Sequence, residues 1–149
     1  MRNVVVAAAM FAAPLSLLLA SPAAAQNSPF DYGDLTEVTG IDILDGGGME
    51  YATYLANDWR KNQEFAKSQG WISDYKVYSN IHARDGEPEL YLLVTYANMP
   101  DAAEAMKRDE AYRAWAKKND TQLNAESGNR SKFRKVMSTV LLGEMKFKK

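Results

Sequence analysis

The spacing of apolar residues along this chain switches between two periods, and each period predicts a different element. Apolar and β-branched residues alternate with polar ones, the period of a strand, over residues 35–44, 71–83, 89–97 and 132–147. Apolar residues recur at every third or fourth position, the period of a helix, over residues 50–69 and 101–116. The sequence therefore predicts the order strand, helix, strand, strand, helix, strand.

Residues with special backbone preferences support these boundaries. Gly70 follows the last periodic residue of the first helix, where helices commonly end in the left-handed conformation. Asp85 and Gly86 suit a tight turn, so the second and third strands are predicted to pair as an antiparallel hairpin. Asp101 opens the second helix, where an acidic side chain complements the helix dipole. Residues 121–131 show neither period, which predicts a loop or a frayed helix end.

The order of elements predicts a ferredoxin-like α+β fold, β-α-β-β-α-β, in which two helices cover one face of a four-stranded antiparallel sheet. This chain has no third layer to cover the other face, although an apolar sheet face must be buried against something. The side chains that supply this mixed apolar surface on the predicted strands are those of Tyr75 or Tyr78, Tyr91, Thr95, Ile81 and Val140. We therefore expect a homodimer that forms through the open sheet face. The register decides which side chains lie there, because a shift of one residue exchanges the two faces.

The first 25 residues follow a different pattern. Arg2 precedes an apolar stretch over residues 4–20, and a run of three alanines ends at Ala25, before Gln26. This arrangement is typical of a secretory signal peptide that is removed on export. We expect a signal peptide over residues 1–25, a flexible leader over 26–34 and a single domain over 35–149. The mature protein is expected to be periplasmic or secreted, and not associated with a membrane.

Composition argues against several classes of partner and chemistry. The chain has 18 Lys and Arg against 19 Asp and Glu, so it lacks the excess of positive charge with which proteins bind nucleic acids. It has no cysteine, which excludes disulfides, thiol nucleophiles and thiolate metal ligands. Because there is also only one histidine, we expect no metal site. The balanced charge predicts that the protein has no nucleic-acid partner.

The layout of elements, together with the run from Asp109 to Trp115 in the second helix, resembles the dimeric α+β barrel superfamily of antibiotic-biosynthesis monooxygenase-like and stress-responsive barrel domains. The resemblance spans residues 35–147. It implies that two sheets face each other across a two-fold axis and enclose a pocket. That fold hosts cofactor-free oxygenases, isomerases, haem proteins and binding domains, so the resemblance does not fix an activity.

His82 is the one histidine of the chain, and the predicted second strand ends beside it at a polar turn. A haem-binding or proton-transferring relative would use such an imidazole as ligand or base. His82 is therefore the candidate catalytic residue, and the alternative is a solvent-exposed histidine at the sheet edge. We expect no cofactor, with haem as an alternative that depends on where His82 points.

Aromatic residues are abundant, and a tyrosine offers an apolar ring with a polar tip that can orient a flat ligand. The candidate ligand-binding residues are Tyr75, Tyr78, Tyr91, Trp59 and Asn62. The alternative is that the aromatic residues form the core and the dimer interface. We expect an exported small-molecule-binding dimeric barrel domain that takes an apolar or aromatic ligand and lacks catalytic machinery. The alternatives are a cofactor-independent oxygenase-like enzyme and a haem-binding barrel protein.

Overall fold

The computed structural model describes residues 28–149, which form an α+β fold around one four-stranded antiparallel sheet, as the sequence predicts. The strands are β1 (Phe30–Ile43), β2 (Asp74–Ser79), β3 (Leu90–Tyr96) and β4 (Arg134–Phe147). The helices are α1 (Gly48–Tyr54), α2 (Arg60–Ser68), α3 (Ala102–Ala116) and α4 (Asp120–Asn129), with a π-helical turn at Leu55–Trp59 and a 3₁₀ turn at Arg130–Lys132. The predicted signal peptide lies outside the described residues. Within them, every helix is too short or too polar to cross a bilayer.

The sheet has the order β2-β3-β1-β4, and every pair of neighbouring strands is antiparallel. Because β1 and β2 both run antiparallel to β3, they point in the same direction on either side of it, and α1 and α2 connect them. The predicted hairpin between β2 and β3 is confirmed, with Tyr78 opposite Tyr91.

The central strand β1 and the edge strand β4 are much longer than β2 and β3. β1 and β4 each contain 14 residues, whereas β2 contains 6 and β3 contains 7. β1 begins at Phe30, ahead of the predicted start at residue 35, and its first residues pair with the end of β4. The ring centroids of Phe30 and Phe147 lie 4.9 Å apart there. A local pattern cannot reveal this start, because the pairing partner lies at the opposite end of the domain.

One face of the sheet carries the core beneath the helices. Residues opposite each other in an antiparallel ladder share a face, so the pair Ile41 and Leu90 lies on the same face as Leu92. Ile41 and Leu92 pack against Tyr51 of α1 and Trp59 of the π-helical turn. Ile41 and Tyr51 are each only 1% exposed.

The other face of the sheet carries apolar side chains that no helix covers. Val38 of β1 lies opposite both Leu93 and Val140, and Tyr91 lies opposite Tyr78. We call this surface the open face; its apolar side chains are those of Val38, Tyr78, Tyr91, Leu93, Val140 and Leu142. Tyr78, Val140 and Leu142 are 52%, 47% and 54% exposed, respectively, although all three are large and apolar.

Two helical predictions need correction. The first predicted helix is not a uniform α-helix, since the π-helical turn divides it into α1 and α2. Residues 121–131, predicted as a loop or a frayed end, form most of α4 instead. Asn119 begins this helix with a capping box: its side chain accepts the Gln122 backbone N–H, and the Gln122 side chain accepts the Asn119 N–H. These two bonds satisfy backbone donors at the helix start, which explains a helix without an apolar stripe.

Candidate functional site

A groove of about 690 Å³ opens between the helices on the side of the sheet away from the open face. We call it the interhelix groove. Its volume falls within the range of roughly 300–1,000 Å³ that is typical of small-molecule sites. Its walls come from α1, the π-helical turn, α2, α3, α4 and the chain leading into β4. The lining residues that matter below are Tyr54, Asp58, Lys61, Asn62, Tyr112, Trp115, Lys118, Glu126 and Arg130.

The π-helical turn distributes its side chains between the core and the groove. Trp59 is 9% exposed and packs in the core, whereas its neighbour Asp58 lines the groove. π-Helical turns occur frequently at functional sites, where they change the direction of side chains within a helix. Lys61 and Asn62 follow in the first turn of α2 and extend the same wall.

Stacked aromatic rings form the wall that α3 contributes. Trp115 stacks on Phe65 of α2, with ring centroids 4.4 Å apart and an interplanar angle of 14°. The Tyr112 ring lies 5.7 Å from Trp115, and the Lys61 ammonium lies 5.8 Å from the centre of the Trp115 ring. Trp115 and Tyr112 therefore offer the groove two neighbouring, largely apolar rings, tilted by 35° to each other, next to a positive charge.

The wall formed by α1 and the end of α4 carries the guanidinium of Arg130 beside the carboxylates of Glu50 and Glu126. The Arg130 guanidinium lies 4.7 Å from the centre of the Tyr54 ring, and its Nη1 donates to the Glu126 backbone carbonyl at 3.1 Å. Arg130 Nε is buried without a hydrogen-bond partner. The Glu126 carboxylate instead pairs with Lys118 at 2.6 Å, which raises the pKa of that lysine.

Burial sets the protonation of the phenols in and below the groove. It raises the pKa of Tyr54 and of Tyr112, and Arg130 partly opposes this increase at both hydroxyls. Beneath Tyr54, burial raises the pKa of Tyr51 to about 12. All three side chains are neutral phenols near neutral pH, so the Tyr54 and Tyr112 hydroxyls can each donate or accept a hydrogen bond in the groove.

We expect the raised pKa of Tyr51 to appear as alkaline destabilisation. Between pH 10.0 and about 12 the unfolded chain loses this proton while the folded chain keeps it, so stability falls as pH rises through that window. In Tyr51→Phe this contribution is absent, so the free energy of unfolding should fall less steeply with pH. Urea unfolding of both proteins at about pH 9 and about pH 11 measures the two slopes. Equal slopes would contradict the assignment to Tyr51.

The structure separates the candidate ligand-binding residues into three places. Asn62 lines the groove. Trp59 and Tyr75 contact each other edge to face under the helices, with centroids 5.4 Å apart, and the Tyr75 hydroxyl donates to the Glu64 carboxylate. Tyr78 and Tyr91 lie opposite each other on the open face, on the other side of the sheet from Tyr75. The five candidate ligand-binding residues therefore do not share one pocket.

His82 lies apart from the groove. β2 ends at Ser79 rather than at residue 83, so His82 lies in the exposed loop that leads to β3. Its backbone N–H donates to the Asn80 side chain at 3.3 Å. His82 is not among the residues lining the interhelix groove. In the part of the chain that the structure describes, no three His, Asp or Glu side chains are grouped so that they could hold a metal ion.

Sequence reasoning missed the contribution of α4 to the groove. Arg130 follows α4 directly, and it was predicted to lie in a loop or frayed end together with Glu126. The available signal was the spacing of Asn119 and Gln122, which matches a capping box and predicts a helix start. A comparison of the chain with models of known families, with curated proteins and with solved structures gave no significant match.

Proposed function

We propose that this chain is an exported small-molecule-binding protein and that its ligand occupies the interhelix groove. The observation that carries the proposal is the groove itself, which has a volume of about 690 Å³. Sites that bind small molecules typically combine aromatic walls with a few polar groups that fix orientation. The neighbouring rings of Trp115 and Tyr112 supply the first feature, and Arg130 and Asn62 supply the second.

We also infer that the protein is a ferredoxin-like dimeric α+β barrel. The placement of β1 and β2 on either side of β3 supports the split β-α-β layout. The exposed apolar side chains of the open face support its burial against a second copy, because two such faces can be buried together by a two-fold axis. In this assembly the interhelix groove remains on the outer, helical side of each subunit.

Of the two alternatives from the sequence, the oxygenase-like enzyme would use a tyrosine or His82, and the haem protein depends on His82. Its exposed position in the loop after β2 favours neither, because a haem ligand or a general base must reach the bound molecule. The proposal therefore rests on binding in the groove.

Filling the groove tests the proposal. Thr53 lies on the exposed side of α1 and lines the groove, whereas its neighbour Ala52 is equally exposed and does not. We expect Thr53→Trp to weaken binding of flat aromatic probes such as indole, 2-naphthol and 2-naphthoate about tenfold or more, because the new side chain occupies their space. Ala52→Trp should bind them like the wild type. Saturation-transfer NMR followed by titration measures both.

Two results would contradict the proposal. One is that none of the probes binds the wild-type protein. The other is that Thr53→Trp and Ala52→Trp bind a probe equally well, which would place the binding site outside the groove.

A further inference from the structure

The Arg130 side chain carries a charge that the protein itself leaves only partly compensated. Arg130 is half-buried, stacks on Tyr54 and makes one hydrogen bond to a backbone carbonyl. None of the ion pairs found within residues 28–149 includes it. A half-buried guanidinium that lacks a carboxylate partner is costly, so an anion that reaches it gains a strong, charge-assisted interaction.

Three carboxylates, those of Glu50, Asp58 and Glu126, also line the groove, but none of the ion pairs within residues 28–149 joins one of them to Arg130. The Glu126 carboxylate is already paired with Lys118. Around the Tyr54 hydroxyl, Arg130 and Arg134 have a stronger influence than Asp58 and Glu126. Arg134 lies opposite Ile43 at the start of β4 and also leaves its Nε buried without a partner. Two arginines therefore make this end of the groove positive.

The opposite wall suits a flat ring. Trp115 and Tyr112, whose rings are tilted by 35° to each other, line the same space as Arg130. We propose that the ligand is a flat organic acid, an inference that rests on the proposed binding function of the groove. Its ring lies on the wall of Trp115 and Tyr112, and its carboxylate or other oxyanion lies beside Arg130. The positive groove end then selects acids over neutral molecules of the same shape.

A matched pair of probes tests this selectivity on the unmodified protein. 2-Naphthoate and 2-naphthamide share one ring system and nearly one shape, but only the first is an anion at neutral pH. We expect titration calorimetry to give a dissociation constant about tenfold or more lower for 2-naphthoate. Equal binding of the two probes would overturn the selectivity and leave the proposed function standing. If neither probe binds but indole or 2-naphthol does, the selectivity for acids is overturned and the proposed function stands; if none of the four binds, both proposals fail.

Substitution then tests the role of Arg130. In Arg130→Gln we expect 2-naphthoate to bind as weakly as 2-naphthamide, with 2-naphthamide changed by less than about twofold. Lys107→Gln is the control, because it removes the same charge from an exposed position of α3 that does not line the groove. Circular dichroism confirms that each variant is folded, and Arg130→Lys replaces Arg130→Gln if the latter unfolds, with a reduced preference expected. An unchanged preference for the acid in the folded variant would overturn the assignment to Arg130.

Discussion

Val140→Asp should dissociate the proposed homodimer into monomers. Val140 lies near the middle of β4 on the open face, opposite Val38, and is 47% exposed in the single chain. In the proposed dimer it is buried, and its two-fold copy places a second carboxylate in the same interface. Because burying an unpaired carboxylate costs about 3 kcal/mol or more, we expect the dimer dissociation constant to rise about 100-fold or more. Sedimentation velocity over a concentration series measures it.

Val77→Asp provides a matched control for that experiment. Val77 is also a valine on an edge strand and is 41% exposed, but it lies opposite Leu92 and therefore on the helical face. The same charge is thus placed on a similar site outside the proposed interface, and the dimer should persist. If Val140→Asp is as dimeric as Val77→Asp and the wild type, the open face is not the dimer interface.

Trp59→Ala should cost more stability than any other aromatic truncation considered for this protein. The Trp59 ring is buried among Ile41, Tyr51 and Leu92 and contacts the edge of Tyr75. Truncating a buried tryptophan removes its apolar contacts and leaves a cavity, which typically costs about 3–5 kcal/mol. That is a large part of the roughly 5–15 kcal/mol by which domains are stable. Urea unfolding at one fixed protein concentration measures the loss.

Trp115→Ala is the comparison for Trp59→Ala. Trp115 stacks on Phe65 but is partly exposed in the wall of the groove, so its truncation should cost about 1–2 kcal/mol. The same variant should weaken binding of 2-naphthoate, because Trp115 lines the groove. Trp59 does not line the groove. A loss of stability in Trp59→Ala no larger than in Trp115→Ala would contradict the placement of Trp59 at the centre of the core.

Residues 50–69 illustrate how far periodicity leads in predicting the fold. The helical period places Tyr51 and Trp59 on the buried side, and both lie in the core. The same period cannot show the π-helical turn, because one extra residue per turn hardly alters a pattern of apolar positions. That turn helps to position Asp58 in the wall of the groove. The predicted helix was therefore placed correctly, while the detail that shapes the candidate site was not visible.

Met106 and Arg108 of α3 also show a limit of predicting structure from the period of apolar positions. The helical period of residues 101–116 places Met106 on the same side as Ala105 and Tyr112, which predicts that it faces inward, yet this side chain is 65% exposed. Arg108 is partly buried instead, pairs with Glu104 and lies over the ring of Trp71. A long arginine side chain can cover apolar surface with its stem while its charge finds a partner, so polarity alone misassigns the face of the helix.

The sequence alone determined the class of fold, the antiparallel hairpin and most of the element boundaries, because local period and turn chemistry are encoded within a few neighbouring residues. Only the tertiary structure decided which tyrosines share a site. Tyr75 and Tyr78 are three residues apart in one strand and so lie on opposite faces, but only the register with β3 shows that Tyr78 is the one on the open face. Likewise, Arg130 meets Tyr54 only because the chain after α4 lies beside α1. Contacts between distant segments depend on packing of the whole chain, which no short stretch of sequence contains.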